Sequence, residues 1–248
     1  MYETIRESAT VRELLQKYPN ARRVFERFGV DYCCGGSRDL KAAAAEAKVP
    51  VETLMMALAS ELEAPLPGQQ PERDWNSLTA TELVEHVLER HHAFMKEQLP
   101  RIDGLLDKVL KVHVAHRQML TAIQKTFRDL KDEIEEHLFK EENILFPLIV
   151  QWDSQAAGKC PAPVSHCGTM QNPIRQMEHE HDSAGSALGR LRELTGSCTL
   201  PPDACPTFRA LYEGLQAIEA DLHQHIHLEN NYLFPKAVEL EAAAQNKR

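Results

Sequence analysis

No uninterrupted apolar stretch in the sequence approaches the roughly 20 residues that a membrane helix needs, which excludes a helical membrane span. The first residues, Met1-Tyr2-Glu3-Thr4-Ile5-Arg6-Glu7-Ser8, lack the apolar core of a secretion signal, so the expected location is the cytoplasm. Basic runs are missing too. With 28 Lys and Arg against 37 Asp and Glu, the formal charge is −9. Neither nucleic acid, whose phosphates demand cationic surface, nor an anionic membrane is an expected partner. No segment sustains the two-residue alternation of a strand, which leaves an all-α chain. The six cysteines could build a disulfide framework in a small secreted domain, but a 248-residue chain without an export signal needs none, and free thiols are expected. Histidine is what the sequence has in excess. There are twelve, all after residue 85, which points to metal or proton chemistry there.

Residues 1–64 read as a small domain of short helices. Thr10-Val-Arg-Glu13 fits a capping box. Pro19 opens a second helix carrying Val24, Phe25 and Phe28, which Gly29 closes. After Asp31-Tyr-Cys-Cys-Gly-Gly36 comes an alanine-rich helix over 39–47, and Pro50 starts another running to about Glu63. The proline-rich stretch 65–76 resists helix and strand alike and reads as a linker. Within 77–242, four long segments carry apolar residues at three- and four-residue spacing: 79–112, 115–151, 172–195 and 205–242. Loops over 152–171 and 196–204 separate them, and Pro100 is expected to kink the first.

Segments two and four contain related strings, His137-Leu-Phe-Lys-Glu141-Glu-Asn-Ile-Leu-Phe-Pro147 and His225-Ile-His-Leu-Glu229-Asn-Asn-Tyr-Leu-Phe-Pro235. On a helix, residues i and i+4 stack roughly 6 Å apart along the axis, so each His-Glu pair can face one metal site. Ile123, Phe127, Leu130 and Ile134 precede His137 at offsets −14, −10, −7 and −3, and Leu211, Leu215, Ile218 and Leu222 precede His225 at the same offsets. Each pair therefore continues the core-facing stripe. Burying an ionised carboxylate is costly unless it is paired or coordinates a metal, so two glutamates facing one core imply a shared cation.

Segments one and three offer His91 or His92, and His179 or His181. His92 has Leu88, Leu99, Ile102 and Leu105 at −4, +7, +10 and +13, and His181 has Met177, Leu188, Leu191 and Leu194 there. Choosing His91 or His179 would put Gln98 or Ser186 at +7 and break the stripe. The spacing agrees as well, 45 residues from His92 to His137 and 44 from His181 to His225. Two such hairpins form an antiparallel four-helix bundle with an approximate two-fold axis. The expected ligands are His92, His137, Glu141, His181, His225 and Glu229. Two metals with both glutamates bridging use all six. Imidazole with carboxylate favours iron or manganese over a structural zinc site, and leaves room for an oxo or hydroxo bridge and a small molecule.

Other residues carry weaker signals. By helical phase His223 and His227 are expected at the surface, and His86, His91 and His179 at the surface or boundary. His113 and His116 fall near a turn, where capping is the default role. Glu133 and Glu180 are candidates to support a ligand or relay protons. Adjacent cysteines pair only through a strained ring, so Cys33 and Cys34 are expected as thiols. A helix beginning soon after them would lower a thiol pKa, and Gly35-Gly36 allows another molecule to approach closely. Cys160 and Cys167, like Cys198 and Cys205, have Cys-x6-Cys spacing and are expected as a loop disulfide or incidental thiols.

Taken together, Asp31-Tyr-Cys-Cys-Gly-Gly36 and the two His-x-x-x-Glu…Leu-Phe-Pro strings resemble the repair-of-iron-centres family of di-iron, hemerythrin-like bacterial proteins. The resemblance spans nearly the whole chain. It implies a cytoplasmic homodimer with two irons per chain, acting on iron–sulfur proteins damaged by nitric oxide or oxidants. It carries the family ligands onto the same six residues, and a thiol role in redox or metal transfer onto Cys33 and Cys34. Nitric oxide reduction to nitrous oxide and sensing of O2 or NO are the alternatives. An oxygen carrier is the least expected, since five histidines typify that site.

Overall fold

The computed structural model describes residues 5–63, 73–161, 163 and 168–245. Most of the expected linker, 65–72, lies outside the described residues, as do His166 and Cys167. Among the described residues there is no strand, apart from an isolated bridge between Thr10 and Asp39.

The small domain is built from α1 (Val11–Lys17), α2 (Ala21–Phe28), α3 (Leu40–Glu46) and α4 (Val51–Glu63). The capping box forms at α1: the Glu13 amide donates to Thr10 Oγ1 at 3.1 Å, and the Thr10 amide to Glu13 Oε2 at 2.9 Å. Gly29 ends α2 in the left-handed region, φ 66°. Val11, Leu15, Val24, Phe25, Leu40, Leu54 and Leu58 form the buried core of this domain.

The bundle follows the expected segments, with one kind of feature that was not expected. The first is α5 (Ala80–His86), a π-turn (Val87–His92) and α6 (Ala93–Val112); the second is α7 (Arg117–Lys140), a π-turn (Glu141–Leu145) and α8 (Phe146–Ala156). Next come α9 (Gln171–Leu194) and then α10 (Pro206–Leu228), a π-turn (Glu229–Leu233) and α11 (Phe234–Gln245). Helix α8 runs to Ala156, so the loop expected from 152 begins later. Helix α6 continues unbroken through Pro100.

Prolines help to explain two of the π-turns. Pro147 and Pro235 have no amide hydrogen for the carbonyls four residues back, at Asn143 and Asn231. The Asn231 carbonyl is satisfied from outside the helix by Gln16 Nε2 of the small domain at 2.7 Å, and at the other π-turn the Asn143 side chain donates to the Phe139 carbonyl at 2.8 Å.

Helix α6 packs on α7 and α10, and α7 packs on α9. The two cross pairs, α7 with α9 and α6 with α10, are those expected of two hairpins related by an approximate two-fold. Two apolar layers result. One contains Met95, Leu99, Phe127, Ile134, Leu138, Leu188, Leu222 and Ile226. The other contains Val87, Leu145, Phe146, Met177, Leu228 and Phe234. Burying each such large side chain contributes about 1.5–3 kcal/mol. The polar residues His92, His137, Glu141, His181, His225 and Glu229 lie between the layers along the chain and are buried.

Candidate metal centre

All six ligand residues expected from the sequence come together. Two groups of potential ligand atoms, His92–Glu141–His225–Glu229 and His137–Glu141–His181–Glu229, each lie within 4.8 Å of one another. Both glutamates belong to both groups and are fully buried. Glu141 presents Oε2 to His92 Nε2 at 3.3 Å and Oε1 to His137 Nε2 at 3.4 Å. Glu229 presents Oε2 to His181 Nε2 at 3.2 Å and Oε1 to His225 Nε2 at 3.1 Å. Each carboxylate thus spans the two half-sites, one oxygen to each side. The π-turns contribute here, because Glu141 and Glu229 begin two of them and His92 ends the third. π-Turns are rare and cluster at functional sites.

The outer hydrogen bonds fix the tautomers. His92 Nδ1 donates to Glu142 Oε1 at 2.8 Å, and His137 Nδ1 donates to Glu180 Oε2 at 2.9 Å. Ionised carboxylates only accept, so each Nδ1 carries a proton and Nε2 faces inward, where its lone pair is free to hold a metal once the imidazole is neutral. His181 Nδ1 donates to Asn230 Oδ1 at 2.9 Å, with the same result. The Nε2 atoms of His137 and His181 then oppose each other at 3.2 Å. Acceptors surround acceptors. His92 Nε2, both Glu141 oxygens, His225 Nδ1 and Glu229 Oε2 are buried without any hydrogen-bond partner. Protons on the imidazoles relieve part of this conflict. Metal cations relieve the inward-facing part of it, and nitrogen and carboxylate donors suit them.

The electrostatics agree. Burial alone would lower the His137 pKa, but Glu141, together with Glu180 and Glu229, pushes it up to about 10. The hydrogen bond from His137 holds Glu180 down at about 2, with help from Lys140 and Gln176 against partial burial. Burial lowers His225. Burial and mutual repulsion would raise Glu141 and Glu229, but the surrounding imidazoles outweigh them and both stay ionised.

Several weaker expectations need correction. His91 is buried rather than at the boundary: its Nδ1 donates to Asp221 Oδ1 at 3.1 Å, and its ring stacks on His225 at 5.5 Å. The π-turn ending at His92 rotates both neighbouring histidines inward. His227 is buried too, because the small domain covers that face of α10 and Tyr32 packs edge-on against it. His223 is half-buried rather than exposed. Glu180 meets the His137 imidazole at 2.9 Å, and Glu133 accepts from Ser183 Oγ at 3.1 Å while lining the cavity that reaches His137 and His181. His113 and His116 do stand at helix caps, the C-cap of α6 and the N-cap of α7, but their side chains turn elsewhere: His113 Nε2 lies 3.2 Å from Cys205 Sγ, and His116 pairs with Asp203 at 2.9 Å. Cys33, Cys34, Cys160, Cys198 and Cys205 are all free thiols, which removes the Cys198–Cys205 disulfide alternative. The Cys33 thiol is pushed up rather than down, by its contact with Cys34, by burial and by Asp31.

The sequence reading did not single out the asparagines after Glu229. Asn230 Nδ2 donates to the Cys33 carbonyl and Asn231 Nδ2 to the Tyr32 carbonyl, both at 3.0 Å. Tyr232 Oη donates to the Leu15 carbonyl at 3.0 Å. A Cβ at Gly36 would stand 2.1 Å from Asn231 Oδ1, so only glycine permits this approach. The small domain therefore docks on its own chain, with the cysteine loop laid across the last π-turn.

Paired His-Glu residues facing each other across a four-helix bundle define a hemerythrin-type cation-binding domain, and residues 83–237 match the family model described as the hemerythrin HHE cation binding domain. Residues 7–62 match a second, described as a domain of unknown function, DUF542. With both halves matched in this order, the chain belongs to the repair-of-iron-centres family. Its relatives include the iron-sulfur cluster repair proteins YtfE of Escherichia coli O157:H7 and Shigella boydii serotype 4 (strain Sb227). Each is 38% identical over 227 residues, which cover 91% of this chain and 94% of the relative.

Proposed function

We propose that this chain is a cytoplasmic di-iron protein that repairs iron–sulfur clusters damaged by nitric oxide or oxidative stress, supplying iron with help from the Cys33 and Cys34 thiols. The observation that carries the reading is that Glu141 and Glu229 each belong to both ligand groups. His92 and His225 would hold one iron and His137 and His181 the other, with both glutamates shared and an oxo or hydroxo bridge between the ions. The names and extent of the relatives support the repair role. The division into a small domain (1–64), a linker (65–76) and a bundle (77–242), and assembly as a homodimer, belong to the same reading.

Bound iron would supply redox change and affinity for small ligands such as NO and O2. The chain supplies the rest. Glu142 and Glu180 hold protons on the outer nitrogens of His92 and His137, and so keep the inner lone pairs directed at the ions. The apolar layers keep bulk water out. A cavity of about 240 Å³, lined by Ile134, Leu138, Leu222 and Ile226, reaches His137, His181 and His225. Glu133, Glu136, Lys140 and Glu180 line it as well, but most of its surface is apolar, which suits a small uncharged molecule and favours one second reading: NO reduction at this centre, or sensing of the same gas.

Metal analysis with Mössbauer spectroscopy tests the centre. Two irons per chain with a coupled-pair signature are expected; zinc, or one metal per chain, would overturn it. Replacing Cys33 and Cys34 together by serine should keep the iron and abolish cluster repair. Sustained nitrous oxide formation over many turnovers with an electron donor would favour the second reading.

A further inference from the structure

The internal repeat breaks at the residue after each shared glutamate: Glu142 follows Glu141, but Asn230 follows Glu229. Each meets the Nδ1–H of a ligand imidazole in its own hairpin. Their surroundings differ. Glu142 is partly exposed and accepts from Lys96 Nζ at 2.6 and 2.8 Å. Asn230 is 4% exposed and lies under the cysteine loop, where its Nδ2 donates to the Cys33 carbonyl. A carboxylate at that place would face the carbonyl with another acceptor. An amide accepts on one side and donates on the other. Its orientation follows from chemistry, because a peptide carbonyl only accepts, so nitrogen faces Cys33 and oxygen faces His181.

We propose that Asn230 is a positioning residue that joins the Cys33–Cys34 loop to the metal centre through His181, so that metal loading and exposure of the Cys33 thiol are linked. The proposal rests on the di-iron reading above. His181 Nδ1–H holds the Asn230 amide and the amide holds the Cys33 carbonyl, so a metal held by His181 would steady the ring and, through it, the loop. Cys33 is buried and packs with the bundle core, whereas Cys34 is half-buried. Both line a groove of about 1140 Å³ between the small domain and helices α9 and α10. Whatever engages the thiols there meets a loop whose placement depends on the centre. By thermodynamic reciprocity, engagement of the loop acts back on metal affinity.

The test is timed alkylation of Cys33, read by mass spectrometry with the remote Cys160 as internal reference, in metal-free and Fe(II)-loaded full-length protein. N230D keeps an acceptor for His181 but removes the donor to Cys33. In the wild type, loading should slow Cys33 alkylation about tenfold, the scale set by one buried hydrogen bond controlling local opening. In N230D, Cys33 should react about tenfold faster than in the wild type, and loading should make no difference. Asn230→Ala carries the same expectation for Cys33 and serves if the aspartate variant does not fold. Equal protection by iron in N230D and wild type would overturn the proposal, as would an iron-loaded wild type with unprotected Cys33. A wild type that takes up no iron would instead overturn the di-iron reading, and the linkage with it.

Discussion

Replacing Glu141 by glutamine removes one negative charge from a fully buried position while keeping the side chain's shape. The carboxylate faces His92 on one side and His137 on the other, so in the proposed centre both half-sites would lose a ligand at once. Removing one partner from a buried charge set costs roughly 3–5 kcal/mol, a few hundred- to a few thousand-fold in Kd at about 1.4 kcal/mol per tenfold. At an iron concentration about a thousand times the wild-type Kd, binding stabilises the native state by about 4 kcal/mol, and E141Q should reduce this to about 1 kcal/mol or less. The lost 3 kcal/mol or so corresponds to a melting temperature lower by about 6–12 °C for a bundle of this size. The quantity to measure is the difference in melting temperature between loaded and metal-free protein, by calorimetry, with iron content determined on the same samples. A core truncation such as Leu222→Ala should lower both melts together and leave that difference intact. If E141Q keeps two irons and the full loaded-minus-free difference, the shared-carboxylate reasoning is wrong.

Three further outcomes are expected. Glu142→Gln and Glu180→Gln should each weaken metal binding about 10–100-fold, because each removes the anion that holds a proton on the outer nitrogen of a ligand imidazole; unchanged affinity in competition titrations would count against it. The Cys205 thiol, lowered to about 7 first by its hydrogen bond with His113 and then by the amides of Phe208 and Thr207, should react increasingly as pH rises through 7. Cys198, raised by burial, should lag behind it, and His113→Ala should slow Cys205 alkylation at pH 7 by about tenfold or more as the thiolate fraction falls. Gly36→Ala forces a methyl group against Asn231, so the amides of Tyr32–Cys34 should exchange hydrogen about tenfold faster; unaltered exchange would mean the contact does not hold the loop.

The bundle was legible in the sequence because burial imposes a period. Ile123, Phe127, Leu130 and Ile134, and their counterparts before His225, are all buried as the matching offsets require. The six central residues were legible because the pattern occurs twice. Helical phase failed at His91 and His227, for two different reasons. A π-turn inserts an extra residue into the helix, so phase counted at 3.6 residues per turn drifts just where His91 lies. At His227 the assumption of one buried face fails, because α10 lies between two cores. Asn230 had a signal that went unused, the Glu-to-Asn difference between the matched glutamate and the matched asparagine of the two strings. The rise in the Cys33 pKa was not legible, since it depends on burial against a bundle remote in sequence.

The run from His225 to Phe234 is buried at every position, and it meets the bundle on one side and the small domain on the other. Advancing the helix by a single residue would rotate it by about 100°. That one slip would turn His225 and Glu229 away from the centre, and with them Asn230 and Asn231 away from the cysteine loop. The string therefore works like a key cut on both edges: the two domains share a single register, and neither can be re-cut while the other keeps its fit.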